Sequence, residues 1–587
     1  MTPSGAAVLH QERLARWVSP PTAQRKAAAR RVRTPAALDV HKTPLNLPGL
    51  AAVLIVLGTC AAAPAAEVGR GTVYGVVEIP FKGPACKAAD APARDIALRV
   101  RFRHESGEPE YTVHGFWDGD GQGGREGNVF VVRFCPTKAG TWTLVEVHSN
   151  DKKLAGQRQG DTVTAAPSKY PGFWLVDPDT PGGRWYRRSG GSHPYIFGNT
   201  HYSFLSQMND EGPRPGDIAD DVAANAGYLN KIRFGIHPCR YPNPKAKPFL
   251  DDGGRPTDDG DFSHRPNPEW FHQRVDAAVR TAWEKDIIAD LILNGPDTRE
   301  ARSILRAGGN TGDATPILRY VAARYGSYPN VWMCLANEWD IKNPNYTADE
   351  IRRFGAALRT HLPYPTPVSV HGKPQTWPKE LNASPPWNDH VIIQNKIRTL
   401  ARSADAIAAS HAAGGGDRPV INDELGYEGK GDTFSRDDVI EGHLGAFLGG
   451  GYGTTGHKPA SKKGHYFWGG FKPDEHTAVP HLAWLRKRID EHVTFWQMAP
   501  IGPGAIFPGA GKDCRAMAWP GHEYVLGTSE AHEGLTANLP SGTWEVRRFD
   551  VIAMTEEVLS HEARGRFTFA APASRAVLVH FKETAAK

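Results

Sequence analysis

The 587-residue chain is poor in the groups that mark the commoner chemistries. It has six cysteines, at 60, 86, 135, 239, 334 and 514. The five beyond residue 66 are odd in number and widely spaced, which excludes a disulfide framework and a C-x-x-C metal site. Cys86 and Cys135 are the pair open to a single bridge in an oxidising compartment; buried thiols are the plainer reading. No H-E-x-x-H or paired His–carboxylate spacing occurs, so no catalytic metal and no cofactor is expected. No G-x-S-x-G elbow occurs either, which counts against a serine esterase. "DGDGQGG" (118–124) precedes a strand instead of opening a helix, so it is no dinucleotide loop. Position twelve from Asp118 is Val129, so it is no EF-hand.

Charge of one sign is also scarce once the first 66 residues are set aside. These hold eight Lys or Arg against Glu12 and Asp39, a balance of +6 against +5 for the whole chain, so the remainder sums to −1. A near-neutral body excludes the sustained basic surface that nucleic acid requires. The basic leader runs into "LPGLAAVLIVLGTCAAAPAAE", which reads as a secretory signal and predicts a secreted or periplasmic protein. "LGTC" offers an alternative, a lipoprotein anchored at Cys60, from which Thr59 departs. The apolar run is too short for a stable membrane span.

What is present is β-rich at both ends and alternating in the middle. Residues 71–168 carry strand-like runs such as "TVYGVVEIPF" and "GTWTLVEVHS", and predict an antiparallel sandwich. Over 185–503 short apolar strands alternate with helical stretches: "YIFGNTHYSF" (195–204), "NKIRFGI" (230–236), "IIADLILN" (287–294), "VWMCLANEWD" (331–340), "TPVSVHG" (366–372), "HVIIQNK" (390–396), "RPVINDELGYEG" (418–429) and "GYGTTGH". That is the α/β pattern of a (β/α)8 TIM barrel. "HLAWLRKRIDEHVTFWQM" predicts a last helix, and 504–587 a second, smaller antiparallel β-sandwich.

Barrel enzymes carry their reactive groups where strands end. The fourth strand ends in Glu338 and the seventh in Glu424, two carboxylates expected about 5–5.5 Å apart if the enzyme is a retaining glycosidase. Each has a plainer alternative. Glu338 fits the first turn of a helix, and Glu424 competes with Asp423 and Glu428. Sixteen Trp and 17 Tyr suit sugar stacking or simple core packing.

"ANEWD" followed 86 residues later by "NDELG" resembles the clan A retaining glycoside hydrolases. The layout, with "GFWDGDG…VRFCPTKAGTWTL" over 115–144, resembles the apiosidase-like barrel proteins. The resemblance implies Glu338 as general acid/base, Glu424 as nucleophile and Asn337 as a partner of the neighbouring sugar hydroxyl. It also implies that Arg233 lies beneath the nucleophile to keep it ionised, unless it pairs with a structural Asp. Asp340 reads as a loop or cap residue. Other strand-end candidates for substrate contact are His201, Asn294, His371, Gln394 and Tyr452. Trp339, Trp377 and Trp468 are candidate sugar platforms. The expected function is hydrolysis of O-glycosyl bonds in a poly- or oligosaccharide, with plant cell-wall pectin as the hinted substrate. A non-catalytic carbohydrate-binding protein and a transglycosylase are the alternatives. The oligomeric state is not legible.

Overall fold

The structure, a computed structural model, describes residues 65–584 apart from 203, 207–217, 238–245, 258–264, 296–304, 306–314, 342–344, 430–433 and 459–472. The leader other than Ala65 and Ala66, with its Cys60, and also Cys239 and Trp468, lie outside the described residues. Cys86, Cys135, Cys334 and Cys514 are unbridged thiols.

The N-terminal domain is built from strands Glu67–Thr72, Val77–Lys87, Leu98–His104, Glu110–Trp117, Glu126–Phe134, Gly140–Ser149 and Thr162–Ala166. Alternation decides which face is buried: Val77, Ile79 and Phe81 point inward, while Glu78, Pro80 and Lys82 between them are exposed. The expected antiparallel sandwich is instead one seven-stranded ladder. Its first strand pairs in parallel with Thr162–Ala166. The strands at the two ends of the ladder, Glu67–Thr72 and Val77–Lys87, are consecutive in the chain. Gly69 and Gly71 let them meet, since a Cβ on either would lie 2.6 Å from the Val77 side chain. The sheet therefore rolls over on itself.

The central domain contributes strands β1 (Phe197–Thr200), β2 (Lys231–Gly235), β3 (Ile288–Ile292), β4 (Val331–Cys334), β5 (Val368–Ser369), β6 (Val391–Ile393), β7 (Val420–Gly429) and β8 (Tyr452–Lys458). Buried on both sides, as parallel strands under helices are, they form one parallel sheet in the order 5-4-3-2-1-8-7-6. The helices are α1 (Ile218–Ala226), α2 (Asp276–Glu284), α3 (Thr315–Tyr325), α4 (Ala348–His361), α5 (Leu400–Ala413), α6 (Arg436–Leu448) and α7 (Val479–His492). Helices α4 and α6 start at capping boxes, Thr347 with Glu350 and Ser435 with Asp438.

Two features depart from a full (β/α)8 barrel. No ladder joins β5 to β6. That seam is bridged by Asp389 N donating to Val368 O (2.9 Å) and by Ser369 Oγ donating to His390 O (2.6 Å). The β5–β6 crossover also lacks an α-helix, holding only a short 3-10 turn at Lys379–Leu381. Pro374, Pro378, Pro385 and Pro386 deny it the consecutive N–H donors that a helix needs. The result is a nearly closed barrel.

After α7 come two antiparallel sheets, one of six strands (Ala499–Ile501, Arg515–Trp519, Glu523–Thr528, Thr543–Asp550, Thr555–Ala563, Val577–Thr584) and one of two (His532–Asn538, Arg566–Ala571). They share a core that includes Leu535, Trp544, Phe569 and Phe581.

A buried ion cluster ties the rolled sheet to the barrel. Asp276 on α2 accepts from Arg133 Nη2 of the N-terminal domain and from Arg324 Nη2 of α3, each at 2.7 Å. Arg324 Nη1 also lies 2.8 Å from Asp118 Oδ1 in the N-terminal domain. Burial opposes the charge on Asp276, but the two guanidiniums overcome it and hold the carboxyl well below the usual range. A depressed folded pKa contributes stability that is present above the ordinary carboxylate value and lost as pH falls through the folded one. Asp276→Ala removes the buried carboxylate that the two guanidiniums share, leaving Arg324 with Asp118 alone and Arg133 with Glu78. It is expected to cost about 3–5 kcal/mol at neutral pH, read by denaturant unfolding, with the gap from wild type closing only in strong acid. A loss below about 1 kcal/mol, the range of an exposed pair, would contradict this role.

Candidate active site

At the barrel centre a charged layer replaces the usual branched residues. Lys231 Nζ lies 2.7 Å from Asp290 Oδ2 and 2.6 Å from Asp423 Oδ1, and all three side chains are buried. Arg233 Nε lies 3.6 Å from Asp423 Oδ2, and Thr454 Oγ1 donates to Asp423 Oδ1 at 2.7 Å. Burial would raise the Asp423 carboxyl, but Lys231 and Arg233 overcome it and hold it at about 2. Asp423, a rival to Glu424 in sequence, is thus committed to this layer. Glu428, the other rival, caps α7: it accepts from Thr477 N (2.9 Å), Thr477 Oγ1 (2.5 Å) and Ala478 N (2.7 Å).

Glu424 follows Asp423 where the register of β7 against β8 shifts, between Asn422 and Gly426. Such a bulge re-aims a side chain without breaking the strand. The Glu424 carboxylate is buried and accepts from Tyr202 Oη at 2.5 Å, and His371 Nε2 lies 3.8 Å from the same oxygen. Burial pushes the Glu424 carboxyl above its ordinary value, and the Glu338 charge adds to the rise. Arg233, the Tyr202 hydroxyl and Lys396 oppose it. Glu338 and Glu424 are therefore electrostatic neighbours.

Glu338 lies four residues past the end of β4, with φ +50. A non-glycine residue in this left-handed region costs about 1–3 kcal/mol, and such strain concentrates at functional sites. Its Oε1 accepts from Gln394 Nε2 at 3.0 Å, and the same amide nitrogen donates to Gly372 O at 3.1 Å. Two carboxylates thus stand in different surroundings. One is buried against a phenol and one is half-buried against an amide, as a division of acid and nucleophile requires.

Arg233 is fully buried. It donates through Nη1 to Tyr202 Oη (2.8 Å) and through Nη2 to Asn337 Oδ1 (2.6 Å). It reaches Glu424 through Tyr202 and the field instead of by direct contact. Arg233 can only donate, so the Asn337 amide is oriented with its oxygen inward and its NH2 available to a ligand. Tyr202 Oη lies 3.1 Å from Asn337 Oδ1, so the β4 and β7 strand ends meet on one hydroxyl.

The remaining candidates divide. His371 and Gln394 join the carboxylates, as above. Asn294 sits beside Asn337, its O accepting from Asn337 N (2.9 Å) and its Oδ1 from Tyr346 Oη (3.1 Å). His201 N donates to Arg233 O at 2.9 Å, at the end of β1. Trp339 is 6% exposed and lies against Gly372, where a Cβ would come 3.0 Å from its Nε1. Asp340 accepts from Lys373 N (2.8 Å) and Gln375 Nε2 (3.2 Å), a loop-fixing residue. Two expectations fail. Tyr452 opens β8 instead of ending it, so it lies at the barrel floor, where its hydroxyl accepts from Tyr186 N at 2.9 Å. Trp377 is buried and donates to Asn382 Oδ1 at 3.0 Å, a core ring and not a platform.

Tyr202 was missed. It follows His201 at the C-terminal end of β1, and its place at a strand end was the available signal. Because its hydroxyl lowers the Glu424 pKa, Tyr202→Phe is expected to raise that pKa further. For a reaction that needs ionised Glu424, the acid limb of kcat/KM moves to higher pH, and kcat near neutrality falls roughly 10–100-fold, up to about 2.7 kcal/mol. An unshifted limb would show that the hydroxyl does not act on Glu424.

Residues 239–458 match the family described as "Apiosidase-like, catalytic domain", and residues 70–149 match a domain of unknown function, DUF5060. Three solved structures that it resembles are glycoside hydrolases by name. A protein of Bacteroides vulgatus ATCC 8482 carrying a provisional glycoside hydrolase name is 23% identical, with 88% of this chain and 100% of that one covered at a TM-score of 0.68. A glycoside hydrolase family 5 protein of the same organism is 13% identical (71% and 94% covered, TM-score 0.56). A third, described as a glycoside hydrolase, is 14% identical (71% and 98%, TM-score 0.54). At these identities the likeness is one of fold. No curated protein matches the chain. The apiosidase-like resemblance read from the sequence is shown, and the match supports a glycosidase. Among the described residues no helix is long and apolar enough to cross a membrane.

Proposed function

We propose that the protein is an exported retaining glycoside hydrolase acting by double displacement, with Glu424 as nucleophile and Glu338 as acid/base. The observation that carries this reading is the pair of carboxylates beyond β4 and on β7, held by different partners. Ionised Glu424 attacks the anomeric carbon while Glu338 gives its proton to the leaving oxygen. Glu338 then takes a proton from the water that releases the sugar from Glu424. The oriented Asn337 amide donates to the sugar hydroxyl beside the reacting carbon. Its hydrogen bond tightens as positive charge develops there.

The apiosidase-like match favours side chains of plant cell-wall, pectin-like polysaccharides as substrate, and the signal-like leader favours a secreted or periplasmic location, with anchoring at Cys60 as a variant of it. Incubation with plant and algal glycans followed by product sizing tests the reading. Release of sugars from pectic material, each with a new reducing end, is expected. Binding without new reducing ends, or products longer than the substrate, would reject hydrolysis.

A further inference from the structure

The C-terminal domain holds a cluster that the glycosidase chemistry does not use. Asp513 and Cys514 close the turn before strand Arg515–Trp519, and His532 opens strand His532–Asn538 of the other sheet. Their donor atoms converge where the two sheets meet. His532 Nε2 lies 2.9 Å from Asp513 Oδ2, Cys514 Sγ lies 3.6 Å from Asp513 Oδ2, and Cys514 Sγ lies 3.8 Å from His532 Nε2. Zinc bonds of about 2.0–2.3 Å in a tetrahedron set donors about 3.3–3.6 Å apart, so an ion fits after shifts of a few tenths of an ångström. Among the described residues this is the one group of three such side chains whose donors all lie within 4.8 Å of one another.

We infer that Asp513, Cys514 and His532 form a binding site for a zinc-like divalent transition-metal ion, separate from the glutamate pair. One thiolate, one imidazole and one carboxylate suit zinc and its neighbours and disfavour calcium and magnesium, which take oxygen ligands. The surroundings are arranged for it. Thr528 Oγ1 hydrogen-bonds Asp513 Oδ2 and lies 3.1 Å from His532 Nε2. Arg515 donates to Lys512 O (2.9 Å) and Cys514 O (2.7 Å) while its guanidinium grips Asp405 on α5, which fixes the ligand turn. The Cys514 residue is buried, whereas the His532 side chain is 19% exposed, leaving an outer face for water as fourth ligand. Zinc binds the thiolate form of cysteine. The ion must therefore displace the thiol proton, one H+ leaving for each Zn–S bond formed.

The test uses the untagged full chain, stripped with chelator and titrated with Zn2+. One equivalent bound per chain and release of about one proton are expected. Co2+ should give a thiolate-to-metal charge-transfer band. Thr528→Val should weaken binding about 10–100-fold, and Cys514→Ser and His532→Ala each by more. No stoichiometric zinc on the wild type, no charge-transfer band with Co2+, or equal binding by Cys514→Ser would overturn the site and leave a hydrogen-bonded cluster. Zinc stoichiometry and the Co2+ band of the wild type decide the matter even if a variant fails to fold.

Discussion

Glu424→Gln is expected to lower kcat by at least about 10⁴-fold, more than about 5 kcal/mol, with the fold intact. A carboxamide cannot form the glycosyl ester, and the neighbouring carboxylates of β7 are engaged elsewhere. Asp423 is bound to Lys231 and Thr454, and Glu428 is bound to the start of α7. The same substitution is expected to stabilise the protein. Burial raises the folded pKa of Glu424. A raised carboxyl contributes stability that is fully present below its ordinary value and lost as pH rises through the folded one. Glutamine imitates the neutral form and still accepts from Tyr202. The variant should therefore melt above wild type at neutral pH, and the difference should vanish in acid. A functional site held at a cost in stability predicts this trade. Retention of activity would reject the nucleophile, and a lower Tm at neutral pH would reject the electrostatic account.

Glu338→Ala is expected to cost about 10²–10⁴-fold on substrates with poor leaving groups, since proton transfer supplies a factor of that size. Activated aryl glycosides need little protonation, so their first step is spared, and without a base for water the glycosyl–enzyme accumulates. A burst of aryl alcohol followed by slow turnover should appear, and azide should restore the rate by attacking without a base. Loss of the Gln394 contact changes no such ratio by itself. Gln394→Ala should therefore lower natural and activated substrates together. Equal losses on both substrate types in Glu338→Ala would remove the acid/base role.

The succession of strands and the nearly closed barrel were legible because parallel strands buried on both faces write uninterrupted apolar runs, and Glu338 and Glu424 drew notice as candidates because they interrupt such runs where a core excludes charge. What was illegible is what spacing does not encode. Alternation gives the same signature for a two-sheet sandwich and for one sheet rolled so that Gly69 and Gly71 meet Val77, because either buries one face. The missing β5–β6 helix was readable from four prolines. Tyr452 was misplaced because a tyrosine beside a strand is at the mouth or the floor according to which end it occupies, and "GGGYGTTGH" does not say where β8 begins. Tyr202 and His201 are consecutive at one strand end. Only the fold shows that the phenol, and not the imidazole, meets Arg233, Asn337 and Glu424 on one oxygen.

Trapping the intermediate tests the central claim most directly. The wild-type enzyme would be incubated with activated 2-deoxy-2-fluoro glycosides, digested and mapped by mass spectrometry. The account predicts a single glycosyl adduct on Glu424, absent from Glu424→Gln. An adduct on Glu338, Asp423 or Glu428, or turnover of those reagents with inverted product and no adduct, would contradict it.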